Sequence, residues 1–210
     1  MTNIEAQNTL ASGRKAAMPN NSVCKMSDAD YFAHPALSQS KLKRFLESPF
    51  KAMTASDDIS LEAKTFGNAL EVALFEGAEA INNKYAISKY KTYCDSMANE
   101  AVAHGKIMLT EAHHNILLQA IKNVDKCLNA KSLLTAPGDE QLVLFWERDG
   151  IQCKAKLDKL IKAKDKIIIL DLKSFAPKSK ISESSLAYHC KDYGYDIQAR
   201  WYMDGVMATM

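Results

Sequence analysis

Cys153-Lys-Ala-Lys-Leu-Asp158-Lys159, followed after a short basic turn by Ile167-Ile-Ile-Leu-Asp171-Leu-Lys173, decides how this chain reads. An apolar run of four ends in an acid, and a lysine stands two residues further on. Another acid sits thirteen residues upstream, at the end of a second strand-like run. Under the two-residue period of a strand, Ile167, Ile169, Asp171 and Lys173 share one face, and Ile168, Leu170 and Leu172 the other. The run is apolar on both faces, which predicts a buried central strand. Asp171 and Lys173 then emerge side by side where it leaves the core. In the preceding strand, predicted over 151–161, Ile151, Cys153, Ala155 and Leu157 occupy one face. Gln152, Lys154, Lys156 and Asp158 occupy the other. The Lys-Ala-Lys-Asp-Lys connection at 162–166 fits an antiparallel hairpin, able to bring Asp158 close to Asp171.

Carboxylates and a lysine at strand ends suit metal-dependent phosphodiester hydrolysis. Mg²⁺ prefers hard oxygen ligands and keeps several waters, so one or two carboxylates suffice. Such an ion polarises a phosphoryl oxygen and lowers the pKa of a bound water. Lys173 can orient that water and neutralise charge at the reacting phosphorus. Asp-x-Lys is a short pattern, and spacing alone also allows a structural ion pair at a strand end.

At these residues the chain resembles the PDDEXK nuclease superfamily, and more narrowly the phage-type exonuclease VIII (RecE) C-terminal domain. Pro35-Ala-Leu-Ser38-Gln-Ser40-Lys-Leu42 looks like that family's opening segment, with Ser48-Pro49 shortly after. Phe66-Gly67-Asn68-Ala69-Leu70-Glu71 looks like its glycine-containing helix motif. The segments around Asp158 and around Asp171 and Lys173 match its two metal strands. Tyr195-Asp-Ile-Gln198-Ala-Arg-Trp-Tyr202 matches its Gln-x-x-x-Tyr helix. The likeness runs over residues 28–210, in the family's order.

The resemblance implies an α/β fold: a PDDEXK (restriction-endonuclease-like) core, its mixed central sheet flanked by helices. It implies Asp158, Asp171 and Lys173 as catalytic residues. It implies a Mg²⁺ ion, or Mn²⁺, held by Asp158, Asp171, Glu71 and the Leu172 carbonyl. Gln198 and Tyr202 would position a substrate phosphate, or else serve in helix packing and meet solvent. Ser38 and Ser40 would also meet the substrate. The implied activity is 5′→3′ exonuclease action on linear duplex DNA ends. A single-strand-annealing recombinase as partner and a homo-oligomeric ring come with it; a cytoplasmic location is expected from the lack of a secretory pattern and the scattered cysteines. The family's helix motif usually ends in histidine where this chain has Glu71, itself a sound metal ligand. The family's core closes with a strand after the last helix. That strand is expected to be missing here, as in a C-terminally truncated domain. This leaves a non-catalytic DNA-binding or assembly fragment as a competing reading, since an incomplete sheet exposes an edge. An endonuclease of the same fold is another.

Composition sets bounds. At 210 residues one domain is the default. No run approaches the roughly 20 apolar residues of a membrane span, and the first residues show no secretory pattern. The five cysteines are scattered without a Cys-x-x-Cys pair, which argues against zinc or an iron–sulfur cluster and for reduced thiols. The net charge is only +2, yet residues 151–180 hold nine lysines against three aspartates. That stretch also carries the expected site, and phosphates would be drawn to it. A solvated lysine-rich hairpin has the same signature.

Residues 1–27 read as a mobile tail before a domain over 28–210. Ser40 is the expected cap of a helix that closes near Ser48-Pro49, and 51–60 reads as a loop. A helix from 61 to 76 stops at Gly77. Residues 78–109 read as irregular. Their Tyr85, Tyr90 and Tyr93, interleaved with lysines, suit either a nucleic-acid strand or packing on the core. Thr110-Glu111 opens a long helix, with His113 and His114 on its surface. Residues 142–147 form a strand, Asp149-Gly150 turns a hairpin, and Ser182 caps a helix over 183–190.

Overall fold

A computed structural model of the chain describes residues 20–54, 60–174 and 182–210. In chain order the elements are β1 (Ser22–Cys24), α1 (Asp28–Ala33), α2 (Gln39–Glu47), α3 (Pro49–Thr54), α4 (Leu61–Phe75), α5 (Ala78–Lys84), β2 (Tyr85–Ile87) and α6 (Ser96–His104). There follow β3 (Ile107–Leu109), α7 (Glu111–Lys126), α8 (Leu128–Thr135), β4 (Asp139–Arg148), β5 (Ile151–Lys162), β6 (Ile167–Leu170), α9 (Glu183–Asp192) and α10 (Tyr195–Thr209). The class is the expected one, α/β with helices about a sheet. The strands of the larger sheet run in the order β1-β4-β5-β6. Two compact units divide the chain. The first takes Met1–Ala55, Asp139–Leu160 and Pro177–Met210, the second Ser56–Gly138 and Ile161–Ala176.

The first unit is built on the β4–β5 hairpin. Asp149 (φ 52°) and Gly150 (φ 75°) are both left-handed, the pairing that matches the twist of a two-residue hairpin. The antiparallel register sets Trp146 opposite Cys153 and Phe145 opposite Lys154. Alternation then gives each face its cover. Val143 and Phe145 pack with Tyr31 of α1 and with Ala36. On the other face Trp146 lies 5.2 Å, ring centre to ring centre, from Trp201 of α10. Trp201 Nε1 donates to the Lys154 carbonyl at 3.0 Å. Of the tail expected over 1–27, residues 1–19 lie outside the described residues, and Ser22–Cys24 is a strand paired antiparallel with β4.

In the second unit α4 packs on α7. Ala69 and Ala73 are small enough to admit Ile81, Tyr85, Leu109 and Leu117 into one cluster. Thr110 caps α7 as expected, its hydroxyl accepting from the His113 amide. Gly77 follows α4 with φ 88°. Residues 78–109 are not irregular: they hold α5, α6 and a parallel β2–β3 pair. Each of those strands is three residues long, too short to show a period in sequence. The loop expected over 51–60 gives way to α3 as far as Thr54, and 55–59 lie outside the described residues. Ser38, not Ser40, caps α2; Ser38 is extended with its hydroxyl facing the Lys41 amide, and Ser40 is already inside the first turn. The run Ile167–Leu170 is not a buried central strand either. Among the described residues it stands last in the strand order, and it is only half-buried, with Ile167 exposed.

Gly205 lets α10 lie close against Trp146. A Cβ there would lie 2.8 Å from the Trp146 ring. Alanine in a helix gains about 1 kcal/mol over glycine, but overpacking a filled site costs about 1–3 kcal/mol. Trp146 is buried against Trp201 and has no flexible end to yield. Gly205→Ala should therefore lower stability by about 1 kcal/mol net, read as a reduced urea midpoint at unchanged slope.

Candidate active site

Asp158 is half-buried on β5, within the first unit. Register places it opposite Gln141, since Glu140 pairs with Lys159 and Leu142 with Leu157. Gln141 has φ 52°, a left-handed backbone rare for a residue with a side chain. Such outliers gather at functional sites, where surrounding structure holds them. Beside this rung, Lys159 is buried and donates to Glu140 at 3.1 Å. Lys154 is buried too. Its ammonium donates to the carbonyls of Tyr31 (2.5 Å) and His34 (2.8 Å) and lies 4.5 Å from the Tyr31 ring centre. The lysine face of this strand is thus covered by α1. Sequence alone gave no sign of that, because alternating lysines read as a solvated face.

The opening segment docks on the same strand. Leu37 accepts from the Lys154 amide (2.8 Å) and donates to Gln152 (2.9 Å), a parallel bridge beside Cys153. Ser38 follows directly, and its hydroxyl is 3.0 Å from that of Ser40. On α10, Gln198 and Tyr202 are one turn apart and both buried. Gln198 Nε2 donates to Tyr202 Oη at 3.1 Å, so the two polar groups form one unit.

Asp171, Leu172, Lys173 and Glu71 belong to the second unit. The turn before β6 is closed by the Ala163 amide donating to the Lys166 carbonyl at 2.9 Å. Just beyond β6, the Lys173 ammonium pairs with the Asp171 carboxylate and lies 3.5 Å from the Leu172 carbonyl. A carboxylate and a carbonyl thus converge on a single cationic group. Glu71 is half-buried on α4, and one turn before it Gly67 opens onto empty space, with nothing within 4 Å of a would-be Cβ. Burial first, then the Glu71 and Glu76 carboxylates, push the Tyr85 phenol upward. The expected acids are divided: Asp158 in the first unit, Glu71 and Asp171 in the second. Within either unit, the described residues hold no group of three or more His, Cys, Asp or Glu side chains that could hold a metal ion.

Residues 38–210 match the family described as a PDDEXK-like domain of unknown function (DUF3799). The chain belongs to that family. No curated protein matches it. The PDDEXK-like fold is nuclease-type, and nucleases of that fold generally use divalent metal ions. Within the second unit of this DUF3799 chain, the Asp171 carboxylate and Leu172 carbonyl are hard oxygen donors of the kind such an ion takes. Among the described residues no helix is long and apolar enough to cross a membrane.

The DUF3799 chain also half-buries His113, which sequence reading placed on the surface. The His113 ring meets those of Phe66 (4.8 Å) and Tyr93 (5.6 Å) in tilted contacts, with its Nε2 3.6 Å from Glu62. Its Nδ1 and the Tyr93 hydroxyl are both buried, and among the described residues neither has a hydrogen-bond partner. Tyr85 is buried in the core, whereas Tyr90 and Tyr93 are half-buried. Burial, then the Glu62 carboxylate, pushes the Tyr93 phenol up to about 12. An acid raised in the folded state keeps its proton there after the unfolded chain has lost it. Its stabilising contribution is complete below the unfolded value of about 10 and is lost as pH rises through about 12. Tyr93→Phe should flatten the fall in urea midpoint between pH 9 and pH 12; an unchanged fall would show that Tyr93 does not contribute to it.

Proposed function

We propose that this chain is a metal-dependent deoxyribonuclease that hydrolyses DNA phosphodiester bonds, acting as a 5′→3′ exonuclease on duplex ends. The observation that carries this reading is the meeting of the Asp171 carboxylate, Leu172 carbonyl and Lys173 ammonium just past β6, in a chain of PDDEXK-like family. Asp158, on β5, is the second acid that the exonuclease VIII resemblance implies for this site.

In this reading Asp158, Asp171, Glu71 and the Leu172 carbonyl hold Mg²⁺ or Mn²⁺. When bound, the ion supplies Lewis-acid polarisation of the phosphoryl oxygen and a water of lowered pKa. Lys173 aligns the attacking water and offers positive charge to the phosphoryl oxygens as negative charge grows on them. Gln198 and Tyr202, already joined by a hydrogen bond, steady the phosphate through one shared orientation. Ser38 and Ser40 present paired hydroxyls at the start of α2 to the DNA backbone. Water oxygen bonds to phosphorus, the bond to the leaving sugar oxygen breaks, and that oxygen takes up a proton. A recombinase that anneals the exposed strand, and a ring of like subunits, are proposed partners on the strength of the exonuclease VIII resemblance.

The test is digestion of end-labelled linear duplex by purified protein, with Mg²⁺ and with EDTA, beside closed circular DNA. Metal-dependent loss of the linear form alone supports an exonuclease, and label position gives polarity; cutting of the circle would establish an endonuclease instead. Asp171→Ala and Lys173→Ala should each lower the rate by about 10²–10³-fold or more while the fold persists by circular dichroism. Full activity in Asp171→Ala would remove the proposed site. Glu71→His should keep measurable activity where Glu71→Ala does not. If the two variants lose activity equally, Glu71 is not acting as a metal ligand that histidine can replace.

A further inference from the structure

The corner between α9 and α10 carries an array of rings. His189 and Tyr193 lie 4.4 Å apart by ring centres, His189 and Tyr195 5.6 Å, and Tyr193 and Tyr195 6.0 Å. The Tyr195 hydroxyl is 3.3 Å from His189 Nε2. The three rings hold one another's planes, yet Tyr193 remains 58% exposed. A large planar face is therefore fixed in orientation and open to solvent.

A cation is fixed beside it. Gly194 turns the chain with φ 58°, and a Cβ there would come within 2.9 Å of the Lys43 side chain. Lys43 lies across this glycine, and its ammonium donates to the Tyr193 carbonyl at 2.8 Å. Lys41 and Lys191 are exposed on α2 and α9, and Asp192 and Asp196 are exposed on α9 and α10. Charge of both signs therefore surrounds the rings. A general attraction for anions does not explain the arrangement; a ligand with a flat face and one negative group beside it fits it.

We infer that His189, Tyr193 and Tyr195, with Lys43, form a stacking subsite for an unpaired base of single-stranded DNA, whose adjoining phosphate meets the Lys43 ammonium. The choice of DNA rests on the nuclease reading above. Stacking suits a strand of any sequence because every base has a π-face, and paired bases inside a duplex cannot offer theirs. A tyrosine already held by its neighbours loses little freedom when a base settles on it.

The test is fluorescence anisotropy of a 5′-labelled dT12 strand in EDTA, where cleavage plays no part. Wild-type protein should bind it. Tyr193→Ala should weaken binding about tenfold, the loss of one stacked base, and Tyr193→Phe should restore most of the affinity because the ring remains. Lys43→Ala should lower the slope of log affinity against log salt by about one phosphate contact. The inference is overturned if wild type does not bind dT12, if Tyr193→Ala binds as wild type does, or if Phe serves no better than Ala. Duplex digestion run in parallel separates the two ideas. Normal cleavage without dT12 binding sinks this subsite alone; Tyr193-dependent binding without any cleavage supports the subsite and sinks the nuclease.

Discussion

The Trp146 ring lies against the backbone of α10 at Gly205 and beside Trp201, and the first unit is arranged around that contact. Only a residue without a side chain lets the helix come so near. Because Trp146 sits on one face of β4 and Phe145 on the other, its position also fixes which side of the hairpin α1 covers. The indole of Trp201 then ties α10 to the β5 backbone at Lys154. Gln198 and Tyr202 are carried on that same helix, so their setting follows from a packing constraint several residues away.

Buried lysines show how far this packing reorganises polar groups. Lys154 loses its water but gains two carbonyls and an aromatic face. Hydrogen bonds to a charged group contribute about 1.5–3 kcal/mol each, whereas an ammonium taken from water costs several kcal/mol. The terms nearly offset, so the arrangement fixes geometry more than it adds stability. It ties the carbonyls at the end of α1 to β5, the strand that carries Asp158. The left-handed Gln141 opposite Asp158 belongs to the same picture, with backbone strain set beside a residue of the proposed site.

The second unit solves a different problem. Ala69 and Ala73 let α4 close on α7, and this fixes the helix that carries Glu71. Tyr93 and His113 are drawn in by the same closure, with polar atoms left inside. Past β6, the Asp171 carboxylate and Leu172 carbonyl gather around Lys173 through local chain geometry.

Much was legible in the amino-acid sequence because it depends on near neighbours. The Asp149-Gly150 turn, the Thr110 and Ser182 caps, the stop at Gly77 and the strands of the hairpin each follow from a few adjacent residues. Tertiary structure alone decided the rest. Whether Lys154 meets water or carbonyls depends on α1, more than a hundred residues earlier. Whether Ile167–Leu170 is central or terminal in the sheet depends on strand order, which an apolar run does not encode. Ser38 rather than Ser40 caps α2 where the preceding Leu37 is bridged to β5. Composition and period describe one segment at a time, and burial is a property of what another segment brings to it.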